Sequence, residues 1–172
     1  LVEGINELGG EGIEFPSIVI QKEENLSSLY NAFEHLDSYN WIIFTSVNAV
    51  DIFFAELRKR ELDIRSLCGS NICAIGPATC KSLEERGLKV EFIPEEYRAE
   101  GILQELQNRV NKDEWVLLPR ARGARAVLPD TLHQWGVHVN EVILYEAVPA
   151  GRFSKAKIND ILEGRVDYLT FT

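Results

Sequence analysis

Three arginines, Arg120, Arg122 and Arg125, fall within six consecutive positions of a 172-residue chain whose formal net charge is −9. A guanidinium presents a planar fork of donors that matches a carboxylate or phosphate, so this cluster could hold an anion despite the overall charge. The plainer reading is a solvated helix start, although basic charge there opposes the helix dipole. Two further polar clusters also follow apolar runs: Thr45, Ser46 and Asn48 after 41–44, and Gly76, Pro77, Ala78 and Thr79 after 72–75. Ser and Asn are favoured N-caps, proline suits the first helical position, and glycine permits close backbone approach. Plain capping and a plain tight turn are the alternatives. Capping and ligand binding are compatible, because the first N–H groups of a helix lack intrahelical partners and attract anions. The chemistry on offer is anion capture by backbone amides and arginine.

Other chemistries find little support. His35, His133 and His138 are scattered and share no ligand spacing, and Cys68, Cys73 and Cys80 match no zinc pattern. No metal site and no Cys-His nucleophile is assigned, and Cys73 reads as a small buried strand residue. No Gly-x-Gly-x-x-Gly follows a strand, which argues against a dinucleotide enzyme. The strand ends carry Thr, Ser, Gly and Arg rather than an acidic cluster, which argues against a phosphorelay receiver. A net charge of −9 argues against nucleic acid as partner. No apolar run approaches the ~18–20 residues of a membrane span, so no membrane partner is expected. An odd cysteine count without a disulfide framework fits a reducing, cytoplasmic compartment. No signal peptide is visible, and the lack of any Met leads to the expectation that this is not a complete translation product.

The polar clusters need elements to position them. Apolar content of 45% with 26% charged residues suits a soluble globular chain. Strands are expected at 41–45, 71–75, 89–93, 115–118 and 137–147, with helices over about 48–60, 77–86, 99–110 and 124–135 between them. Strand–helix alternation implies a parallel sheet with helices on both faces, and it gathers the polar turns along one edge, where α/β sheets bind ligands. Before this block come a helix over 1–10, a strand start at Ile13 and Phe15, an extended piece at 17–21 and a helix over 26–36. After it come a helix over 154–162 and a fourth crossing beginning at 167–172, which includes Thr172. The fold class is thus α/β, read as two flavodoxin-like or Rossmann-like domains. Residues 23–141 form the complete domain, 16–22 and 142–149 a two-stranded connector, and 1–15 plus 150–172 an incomplete domain.

Several motifs taken together resemble the uroporphyrinogen-III synthase family. They are Ile43–Val50, Ala74–Thr79 with Gly87–Val90, Tyr97–Leu103, Leu118–Arg122, Arg125–Pro129, Tyr145–Pro149 and Asp167–Thr172. No single one is specific, but their order and spacing run along nearly the whole chain. The resemblance implies two α/β domains joined by a two-stranded ladder, with the active site in a cleft between them. It also implies that a first strand closing in Arg, and a Ser and helix after Thr172, lie outside this sequence. The implied activity is cofactor-free closure of hydroxymethylbilane to uroporphyrinogen III, with loss of water and inversion of the last ring. The implied partner is a small-molecule linear tetrapyrrole, and a cytoplasmic monomer is expected. Thr45, Ser46, Asn48, Gly76, Pro77, Ala78, Thr79, Arg120, Arg125 and Thr172 would bind its carboxylates. Tyr145, facing the cleft, would hydrogen-bond or protonate the leaving hydroxyl; the alternative is a half-buried strand tyrosine. The competing function is a two-lobed α/β binding module that holds an anion without chemistry.

Overall fold

A computed structural model describes residues 1–151 and 155–170, with Ala156 described by its backbone alone. The elements are α1 (Val2–Glu7), β1 (Ile18–Lys22), α2 (Ser27–Phe33), β2 (Trp41–Phe44), α3 (Val47–Lys59), β3 (Asn71–Ala74) and α4 (Pro77–Glu84). They continue with α5 (Ala99–Leu106), β4 (Trp115–Ala121), α6 (Val127–Gln134), β5 (His138–Pro149) and α7 (Lys155–Leu162).

Alternation in the strands sorts their side chains onto two faces. Ile42, Phe44, Ile72, Ala74 and Leu117 enter one core with Val50, Phe53 and Leu57 of α3 and Leu83 of α4. Trp41, Ile43, Cys73, Val116 and Leu118 enter the other with Ile102 and Leu106 of α5 and Leu128 and Leu132 of α6. Both faces are covered, which is why β2 is buried at all four positions. Helix boundaries follow local chemistry. Ser46 caps α3, Pro77 opens α4, and Gly87 and Gly136 take positive φ (83° and 80°) where the chain leaves α4 and α6.

The sheet order is β1-β5-β4-β2-β3. β2 pairs in parallel with β3 (Trp41 opposite Asn71) and with β4 (Trp41 opposite Val116), and β4 pairs in parallel with β5. β1 runs antiparallel to β5: Glu23 N–H donates to the Leu144 carbonyl (2.9 Å) and Ala150 N–H to that of Ser17 (3.0 Å). The chain moves outward from β2 to β3, then returns to the far side of β2 as β4. The crevice above β2 and β4 is therefore the topological switch point of a doubly wound sheet.

The structure corrects several expectations. The parallel strand expected at 89–93 shrinks to one bridge, Phe92 opposite Cys73, with Glu91 N–H donating to the Ile72 carbonyl (2.8 Å). Pro94 ends the pairing because it has no N–H to donate. The sheet is thus mixed: four parallel strands and antiparallel β1. Ile13 and Phe15 form no strand, and 167–170 are irregular. Thr172, a candidate site residue, lies outside the described residues. β4 continues to Ala121, and α6 begins only at Val127.

The chain divides into two compact units, Ile20–Glu146 and Leu1–Val19 with Ala147–Thr172. In the second, α1 buries none of its residues, and Lys157 Nζ donates to the Glu14 carbonyl (2.6 Å). Ile5, Ile13, Phe15, Ile161 and Tyr168 line a hollow of about 700 Å³ there. Among the described residues, no helix is long and apolar enough to cross a membrane.

Candidate active site

The β2–α3 turn is built by its own hydroxyl. Ser46 is extended (φ −165°, ψ 154°), and its Oγ accepts from the Ala49 N–H at 3.1 Å, satisfying one orphan donor of the helix start. Thr45, Ser46 and Asn48 are all half-buried, so the turn keeps an open side. At the next crossing, Gly76 is buried while Pro77 and Ala78 are exposed and Thr79 is buried. A Cβ at Gly76 would lie 3.3 Å from Cγ of Tyr97, so the exposed Tyr97 ring rests on this turn. Sequence reasoning quoted Tyr97 within a motif but did not place it at the site; no spacing rule brings residue 97 onto the start of α4.

The arginines have unequal fates. Arg120 is in β4, only 5% exposed, and is not at a helix start. It donates to Glu141 Oε2 and to the Arg125 carbonyl, each at 2.6 Å. Its charge is engaged internally and shapes the 121–126 loop. Arg122 pairs with Glu23, and its Nε lies 3.8 Å from Glu146. Arg125 binds Glu100 in bidentate fashion (2.7 and 3.1 Å) and is 65% exposed. The Arg125 guanidinium holds the Glu100 carboxyl down at about 2. Because α6 starts at Val127, none of the three occupies the first turn of a helix. Glu100 and Glu141 were not anticipated, since each is far from its arginine in sequence.

Tyr145 is turned by a bulge. Arg120 pairs with Ile143 but Ala121 with Tyr145, so Leu144 is an extra residue on β5. Strict alternation would place Leu144 and Tyr145 on opposite faces; instead both enter the same core, at 0% and 6% exposure. The ring passes the end of β4 and its hydroxyl meets Ser46 Oγ at 2.8 Å. Tyr145 is thus buried behind Ser46, and the reach to Ser46 was not legible from sequence.

The three cysteines are free, and burial pushes the Cys73 thiol up, so it is no nucleophile at neutral pH. Among the described residues, no group of three or more His, Cys, Asp or Glu could hold a metal ion.

Fold and site together define a doubly wound α/β protein. Its polar turns and exposed arginines follow the carboxyl ends of adjacent parallel strands, and one hydroxyl pair links the first of these turns to β5. The sequence profile of a family described as uroporphyrinogen-III synthase HemD matches residues 1–172. The chain belongs to the uroporphyrinogen-III synthase family. The porphyrin biosynthesis protein HemD of Ruminiclostridium josui is 33% identical over 172 residues, which are 100% of this chain and 34% of that protein. A Methanothermobacter thermautotrophicus protein, provisionally named uroporphyrinogen-III synthase, is 36% identical over 177 residues, covering 99% of this chain and 67% of that protein. A crystal structure of a mutant uroporphyrinogen III synthase from the extremely thermophilic bacterium Thermus thermophilus shares the fold. Its TM-score is 0.67 at 17% identity, over 95% of this chain and 64% of that one. The chain therefore spans about a third of one relative and just under two thirds of the solved enzyme.

Proposed function

We propose that this chain carries the uroporphyrinogen-III synthase reaction, the lyase-type closure of hydroxymethylbilane with loss of water and inversion of the last ring. The observation that carries the proposal is that the Ser46 turn, the Gly76 turn and the Arg125 loop follow β2, β3 and β4, three adjacent strands of the parallel sheet, in a chain of this family. The substrate is a flexible polyanion whose own pyrroles push out the hydroxyl. The protein has mainly to fix one folded shape, so orientation dominates the barrier. Backbone N–H groups near Asn48 and Ala78 can donate to carboxylates without a rigid side-chain code.

The arginines supply exchangeable charge. Arg125 and Glu100 form an exposed pair, whose attraction solvent and salt screen. A substrate carboxylate can take Glu100's place at little cost. Arg120 acts differently, holding the loop through the Arg125 carbonyl. The domain reading belongs to the same proposal, with 23–141 as one α/β domain and 16–22 with 142–149 as connector. Pairing of β1 with β5 supports it.

The test is conversion of fresh hydroxymethylbilane by the full chain, with isomer analysis of the oxidised product. Type III product above the spontaneous background supports the proposal. Type I product alone at the spontaneous rate contradicts it, and tight binding without turnover favours an anion-binding module.

A further inference from the structure

Tyr145 is the residue whose chemistry would first suggest an acid, yet the structure puts another hydroxyl in front of it. Tyr145 is 6% exposed, and its OH is 2.8 Å from Ser46 Oγ, which sits half-buried at the open side of the β2–α3 turn. Ser46 Oγ already accepts from the Ala49 N–H (3.1 Å), so its position is fixed from two sides. The bulge at Leu144 turns the tyrosine toward this contact and away from the opposite face of the sheet. A serine held only as a cap needs the Ala49 N–H and nothing more. The buried Tyr145 hydroxyl needs a partner, and the one it has is the same hydroxyl that caps α3 and reaches the half-buried turn.

Resting on the function proposed above, we infer that Ser46 is the hydroxyl that meets the substrate's departing hydroxyl group and that Tyr145 is a positioning residue acting through it. In the step concerned, the C–O bond of the hydroxymethyl group breaks and its electron pair leaves with oxygen. The pyrrole nitrogen supplies the electrons that form the exocyclic C=C bond of the azafulvene, and its N–H proton balances the water released. Ser46 Oγ–H donates a hydrogen bond to the departing oxygen while Tyr145 O–H donates to Ser46 Oγ. The protein's protonation is the same before and after. Two hydroxyls in line strengthen the outer donor, since each bond polarises the next.

The experiment is a mutant cycle on the full chain, reading kcat and KM for hydroxymethylbilane. Ser46→Gly is chosen because glycine is a serviceable N-cap, so α3 is retained while the hydroxyl is lost. It should lower kcat by about tenfold or more with KM changed far less. Tyr145→Phe should lower kcat by a smaller factor. The double variant should be no slower than Ser46→Gly alone, because the tyrosine has nothing left to act through. Ser46→Thr should restore most of the turnover. Near-normal kcat in Ser46→Gly beside a slow Tyr145→Phe would overturn the inference and make Tyr145 the direct donor. Multiplicative losses in the double variant would overturn it as well. Failure of the unmutated chain to form type III product would instead sink the functional reading itself.

Discussion

At the scale of single residues, chemical type says less than exposure and partner. Arg120 and Arg125 are alike in sequence, but one is 5% exposed and tied to Glu141 while the other is largely open and clasps Glu100. Arg125→Ala should therefore raise KM for hydroxymethylbilane severalfold with kcat little changed, since a carboxylate contact serves ground and transition states alike. Arg120→Ala should instead lower stability by about 1.5–3 kcal/mol through loss of charge-assisted bonds at a buried position. Steady-state kinetics and urea unfolding on the same two variants separate these outcomes. Equal KM effects with unchanged unfolding would return both residues to a shared binding role. The same contrast explains what could be read early. Ser46 as cap and Gly76 as tight turn follow from local rules, because their partners lie within a few positions. Ser46 with Tyr145, Arg125 with Glu100 and Gly76 with Tyr97 depend on crossovers that no local pattern encodes.

At the scale of elements, the alternation of strands and helices was legible because buried parallel strands are short apolar runs and the helices carry clear stops at Gly87 and Gly136. Two features were not. The segment 89–93 has a strand's alternation, but Pro94 and its outer position beyond β3 leave it one bridge. The bulge at Leu144 has no sequence mark at all, yet it decides which face Tyr145 occupies. A third constraint is geometric: a Cβ at Gly101 in α5 would lie 2.2 Å from the Glu96 carbonyl oxygen. Glycine alone allows the 94–98 segment, with Tyr97, to fold against the head of α5. Gly101→Ala should cost about 1–3 kcal/mol of stability by overpacking, despite alanine's better helix propensity. A urea midpoint at or above that of the unmutated protein would show that the segment can shift freely, and that Tyr97 is not held on the Gly76 turn by this contact.

At the scale of the whole molecule, charge organises both stability and site. Glu56 of α3 is 2% exposed. Burial opposes its ionisation, but hydrogen bonds from Lys22, Lys59 and Tyr30 overcome this and hold its carboxyl at about 2, below the ordinary 4.5. Its folded-state value lies below the unfolded one, so the stabilisation is complete above the unfolded value and is lost as pH falls from 4.5 toward 2. The loss should be on the order of 3 kcal/mol for this group. Urea unfolding followed across that window should show a steep decline that Glu56→Gln flattens; parallel curves would remove Glu56 as the cause. The net charge of −9 also makes the site's location informative, because a polyanion needs local positive groups or helix N–H donors to bind such a chain. The most direct measurement is backbone amide NMR of the full chain titrated with uroporphyrin III as polycarboxylate probe. Shifts concentrated at 45–49, 76–79 and 121–126, fading on Arg125→Ala, are the expected result. Shifts confined to the opposite sheet edge around Asn40, Asn71 and Trp115, or to the hollow lined by Ile5, Ile13 and Tyr168, would contradict a site at the carboxyl edge of β2 and β4.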